Sequence, residues 1–138
     1  MTKAQQELLD AIGRVLHGYG EVCFAYVHGS FLRQSVFHDI DVAVFLSPEF
    51  LSRHCAGASI HLDYLLPLED RLGSVTPAPV DAQLLNAAPL PVRYRIVTDG
   101  VVVVDRDPAA RESFELLSRK EYFDFRPLRE RYLREAFG

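Results

Sequence analysis

Cysteine is scarce in this chain, positive charge is not in excess, no apolar run is long, and no repeat or low-complexity segment interrupts it. Each absence closes off a class of protein. The only two cysteines, Cys23 and Cys55, have no close metal-ligand spacing, so a thiolate metal cage is not expected. Cys23 stands in an apolar run where a small buried thiol fits, and a reducing compartment follows as the default. Fifteen Lys and Arg against nineteen Asp and Glu give a formal net charge of −4. A chain with that balance has no global positive field to hold DNA or RNA, and no direct nucleic-acid partner is expected. No segment is apolar for long enough to span a bilayer, and the opening Met-Thr-Lys-Ala-Gln-Gln-Glu lacks the apolar stretch of a signal peptide. The expectation is a cytoplasmic protein with no membrane partner.

What is present is the balance of an ordinary globular domain: 138 residues, 49% hydrophobic and 25% charged. A chain of this size buries roughly two-thirds of its unfolded surface around one core, so residues 1–138 are read as a single domain. Leu8, Ile12, Val15, Leu16 and Tyr19 recur at helical spacing before Gly18 and Gly20, which predicts a helix over 3–18. Val22 to Val27 is a short, nearly continuous apolar run rich in β-formers, as expected of a strand covered on both faces. A second such run covers 39–46 and stops at the breaker pair Ser47-Pro48.

Leucines between 56 and 72 predict a helix that Pro67 kinks or breaks. A third strand is placed from near Asp81 to Asn86, a short helix over 89–97, and a fourth strand over 101–104 after the Asp99-Gly100 turn. A last helix is expected from Pro108 toward Phe137, bent near Phe125 or divided by Pro127. Tyr122, Phe123, Phe125, Tyr132 and Phe137 along it read as core positions, with a partner surface as the alternative. The late cluster of arginines interleaved with acids reads as a solvated face or partner surface rather than a phosphate track. This order of elements gives an α/β (α+β) fold with a mixed sheet of about four strands flanked by helices.

The chemistry concentrates where the first two strands join: Val27-His28-Gly29-Ser30-Phe31-Leu32-Arg33-Gln34, then Phe37-His38-Asp39-Ile40-Asp41-Val42. Asp39 and Asp41 are two apart on a strand, so both side chains point to one face. Magnesium suits such a pair, since it takes one or two carboxylates and completes its shell with water and substrate phosphates; manganese is the other candidate. Two ions roughly 3.5–4 Å apart would let one activate the attacking oxygen and the other steady the triphosphate. Asp81, flanked by Val80 and Ala82 in an apolar strand, is the candidate third ligand and a candidate general base. Gly29 and Ser30 sit where a strand gives way to a turn, where free amides and the Ser30 hydroxyl can hold phosphate oxygens. Arg33 falls one turn later and could neutralise charge on the triphosphate, although an ordinary surface cation is an equal reading. His28 reads as a structural, hydrogen-bonded histidine and His38 as a solvated one.

A Gly-Ser pair or an Asp-x-Asp triplet alone is common. Their order resembles the nucleotidyltransferase superfamily of the DNA polymerase β type: strand, Gly29-Ser30, connection, Asp39-Ile40-Asp41, then the single strand-borne Asp81. Within it the short chain is similar to the minimal nucleotidyltransferases encoded beside HEPN-domain toxins, the antitoxin group called MntA. Leu85-Asn86-Ala87-Ala88-Pro89-Leu90, Arg93-Tyr94-Arg95 and Glu121-Tyr122-Phe123-Asp124-Phe125 carry that likeness. The spacer Phe31–His38, eight residues, is shorter than the family's usual one, and Gln34 stands where glycine is common. The resemblance implies transfer of AMP from ATP, with Mg2+, to a tyrosine of a partner HEPN ribonuclease, neutralising it as an antitoxin. A small-molecule nucleotidyltransferase and a catalytically idle nucleotide- or toxin-binding module are the alternatives.

Overall fold

The computed structural model describes residues 2–29, 39–54 and 59–137. Helix α1 (Lys3–His17) begins with a capping box: the Thr2 hydroxyl accepts from the Gln5 amide at 3.1 Å, and the Gln5 side chain accepts from the Thr2 amide at 2.8 Å. Strands β1 (Val22–His28) and β2 (Ile40–Leu46) are the two apolar runs and pair antiparallel. The acidic pair is split by the strand boundary: Asp41 lies within β2, whereas Asp39 immediately precedes it.

Helix α2 (Pro48–His54) occupies a segment read from sequence only as a strand stop. Ser47 and Pro48 do end β2, but as the start of a helix. The Ser47 hydroxyl accepts from the Phe50 amide at 3.4 Å, and proline at a first helical position lacks only an amide that would have no partner anyway. The leucine-rich helix expected over 56–72, whose first residues lie outside the described ones, is present after 59, with a π-helical turn at His61–Leu65 leading into α3 (Leu66–Gly73). The widened turn directly precedes Pro67, whose ring and missing amide cannot fit a regular interior turn, so the helix is re-wound there rather than broken.

The rest comprises β3 (Val80–Leu84), a 3-10 turn at Leu85–Ala87, α4 (Leu90–Asp99), β4 (Val101–Asp105) and α5 (Pro108–Phe137). The sheet order is β3-β2-β1-β4, with β2 and β3 parallel and both other pairings antiparallel, the mixed sheet expected. Helix α5 continues through Pro127, so of the bend or division expected there the division does not occur. Its residues from Arg126 onward are exposed, where water can satisfy a carbonyl that proline leaves without a donor. The aromatic positions divide differently from the expectation. Phe123, Tyr132 and Phe137 are 57%, 68% and 83% exposed, so helical spacing there does not mark a core, while Tyr122 stacks on Tyr94 with ring centroids 3.9 Å apart. Cys23 is only partly buried.

Strand alternation divides the apolar residues between two layers. On one face Val27, Val42 and Val44 meet Leu9, Ile12 and Leu16 of α1 and Leu68 and Leu72 of α3. On the other, Phe24, Tyr26 and Ala43 meet Ile96 and Val97 of α4, with Phe45 and Phe114 completing the cluster. Phe24 and Phe45 stack at 4.5 Å across the β1–β2 pair. At the far end of β2, Asn86 closes on the backbone of Leu46, accepting from its amide and donating to its carbonyl, both at 2.9 Å. Asn86→Ala strands both groups in a partly buried place and is expected to cost about 1–3 kcal/mol. A thermal melt checks it; an unchanged Tm would mean that water replaces both bonds.

Candidate functional site

The sheet registers bring the sequence candidates into one row. His28 of β1 lies opposite Asp41 of β2, and Asp41 lies opposite Asp81 of β3. By alternation all three share the face that carries Phe24, Tyr26 and Ala43, beneath α4. Asp41 is partly buried, and Asp39 and Asp81 are exposed. Burial first, then the negative charges of Asp81 and Asp39, hold the Asp41 carboxyl above the ordinary carboxylate range. Asp41 thus feels the charge of both neighbouring carboxylates.

Gly29 follows β1 with φ of +88°, a conformation that side chains rarely adopt. A β-carbon there would collide with Oδ2 of Asp41, so glycine at this position also seats the carboxylate. Ser30 and Arg33, the other two phosphate candidates, lie outside the described residues.

One residue that the motif reading left out completes the floor. Gln83, two positions beyond Asp81, lies opposite Ala43, whose small side chain leaves room above β2. Its side-chain amide and Nε2 of His28 stand 2.7 Å apart. Burial holds the imidazole pKa down; the positive charge of Arg95 pushes the same way and Asp81 opposes it. Kept neutral, the ring accepts the amide hydrogen on Nε2. This is the structural, hydrogen-bonded histidine expected from sequence. Gln83 carried no signal, because a single amide two positions from a motif has no pattern of its own, and Arg95 entered the sequence reading only within Arg93-Tyr94-Arg95, as part of the family likeness.

Over this floor lies a cavity of about 250 Å3, bounded by His28, Gly29, Asp41 and Gln83 from the sheet and by Val92, Arg95, Ile96 and Asp99 from α4. A wider groove of about 750 Å3 runs between α1 and β4, but no carboxylate of the site lines it. Among the described residues no group of three or more His, Cys, Asp or Glu side chains forms a ready metal cage. A zinc cage needs four convergent ligands, whereas magnesium takes one or two carboxylates and draws the rest from water and phosphate. Oxygen donors on adjacent strands, coupled in charge, fit the second kind of ion.

Residues 10–109 match the family described as polymerase beta, nucleotidyltransferase. The chain belongs to that nucleotidyltransferase family. None of the curated proteins matches it. Its fold is similar to that of several toxin–antitoxin crystal structures. One, of MntA–HepT, gives a TM-score of 0.71 at 19% identity, covering 96% of this chain and 99% of that one. Another, a toxin–antitoxin with AMP-PNP, gives 0.72 at 20% identity, with 94% and 98% covered. A third holds a tri-AMPylated HEPN toxin from Shewanella oneidensis in complex with its MNT antitoxin, and gives 0.72 at 20% identity, with 97% and 99% covered. No helix among the described residues of the nucleotidyltransferase is long and apolar enough to cross a membrane.

Proposed function

We propose that this nucleotidyltransferase is a metal-dependent protein adenylyltransferase that moves AMP from ATP to a tyrosine of a partner HEPN ribonuclease and so silences it. The observation that carries the reading is the side-by-side placement of Asp41 and Asp81 on adjacent parallel strands, next to the left-handed turn at Gly29. Support for nucleotide and acceptor comes from the similar structures, one holding AMP-PNP and one an AMPylated HEPN toxin.

In the reaction the phenol oxygen attacks the α-phosphorus and forms an O–P bond. The bond from that phosphorus to the oxygen bridging to the β-phosphate breaks, and pyrophosphate leaves with the electron pair. Magnesium held by Asp39, Asp41 and Asp81 would supply the positive charge that such a phosphoryl transfer requires. Asp81, exposed on the edge strand beside Asp41, takes the phenol proton directly or through water. The turn at Gly29-Ser30 orients the phosphates, and Arg33 offsets their charge. Neutral His28 and Gln83 fix the floor without taking part in proton transfer.

Mass spectrometry of the partner, after incubation with ATP and magnesium, is expected to show an AMP adduct on a tyrosine. Manganese should substitute, zinc should not, and EDTA should abolish labelling. An adduct that forms in EDTA, or no adduct with the partner co-purified and folded, would overturn the reading.

A further inference from the structure

The two arginines of α4 have different surroundings. Arg93 is tied down: its guanidinium donates to Glu121 of α5 at 2.8 Å and lies over the Phe114 ring. Arg95, two positions on, faces elsewhere. It is exposed, lines the cavity shared with Gly29 and Asp41, and makes no ion pair or hydrogen bond among the described residues. It is also the one cation among the described residues of that lining, which otherwise carries the carboxylates of Asp41 and Asp99.

A guanidinium that lines one cavity with two carboxylates, and pairs with neither among the described residues, is placed for an outside anion. The cavity's 250 Å3 is below the roughly 300–1,000 Å3 that encloses a whole small ligand, so it takes part of a nucleotide rather than all of it. Its wall at Gly29 leads directly into the turn that would hold phosphates. An arginine presents a planar fork of donors matched to phosphate oxygens, and the leaving pyrophosphate is where negative charge accumulates during transfer.

Resting on the nucleotidyltransferase reading above, we propose that Arg95 binds the β- and γ-phosphates of the nucleoside triphosphate and stabilises pyrophosphate as it departs. Arg95 therefore discriminates triphosphate from monophosphate, a role separate from that of the carboxylates.

The test is calorimetric titration of the full chain with AMP-PNP and with AMP, both with magnesium, for the unaltered protein, Arg95→Ala and Arg95→Lys. Arg95→Ala is expected to weaken AMP-PNP binding about tenfold or more while AMP binding stays the same, and Arg95→Lys should recover part of the loss. Because Arg95 is exposed and unpaired among the described residues, the Tm of both variants should match that of the unaltered protein. Equal loss for AMP and AMP-PNP would place Arg95 against the nucleoside and overturn the proposal, as would no loss for either. Failure of the unaltered protein to bind any nucleotide would overturn the underlying reading as well, whereas binding indifferent to Arg95 overturns this one alone.

Discussion

Asp41→Asn is expected to lower AMP transfer roughly a hundredfold or more while leaving the fold intact. The substitution keeps the shape of the side chain opposite His28 and Asp81 but removes one of three coupled negative charges. In the proposed mechanism the metal would lose a charged ligand, and the phosphoryl group would lose stabilisation in the transition state. Stability should move the other way. In metal-free protein the folded-state pKa of Asp41 is raised, by burial and then by Asp81 and Asp39. The protonated carboxyl therefore contributes stability that is fully present below its unfolded pKa and is lost as pH rises through the folded value. Asparagine does not ionise. In EDTA, the Tm of the unaltered protein should fall relative to that of Asp41→Asn as pH climbs above the ordinary carboxylate range, and the two should converge at lower pH. Near-normal labelling of the partner by the variant would remove Asp41 from the site; parallel Tm curves would remove the electrostatic coupling.

Gly29→Ala should be nearly as damaging to activity, by a different route. A single added carbon must occupy space taken by Oδ2 of Asp41, in a backbone conformation of φ +88° that costs a side chain about 1–3 kcal/mol. Either the carboxylate swings away or the turn changes its hand. A displacement on the order of 1 Å at a reacting centre can cost about a hundredfold in rate. The expected pattern is a lower Tm together with a loss of transfer that persists at temperatures where the variant is fully folded. A variant with reduced Tm but normal transfer when folded would show that the contact between Gly29 and Asp41 is structural only.

The strands were legible because apolar runs bounded by Gly, Ser and Pro leave little choice, whereas the strand order and the register that aligns Asp41 with Asp81 depend on tertiary pairing that no local pattern encodes. Asp39 was placed on the strand and stands just before it. Helix α2 was missed because Ser47-Pro48 terminates one element and starts the next with the same two residues. The aromatics of α5 misled because helical spacing reports a face, and only tertiary contacts say whether anything covers it; Phe123 and Phe137 are exposed and Tyr122 is partly covered by Tyr94. Gln83 and Arg95 became visible only when a strand and a helix distant in sequence closed around Gly29. Ser30 and Arg33 remain expectations of the sequence.

The sheet order also gives the three carboxylates unequal mechanical backing. Strand β2 has a neighbour along each side, so the peptide groups beneath Asp41 are released only when β1 or β3 separates from it, an event near global opening. Strand β3 is an edge, and what guards it is a side chain: Oε1 of Glu69 in α3 accepts from the Ala82 amide at 2.8 Å, next to Asp81. Warming therefore loosens the site from one side. Asp81 would begin to drift while Asp41 stays fixed, so in the proposed mechanism whatever Asp81 contributes would fail first.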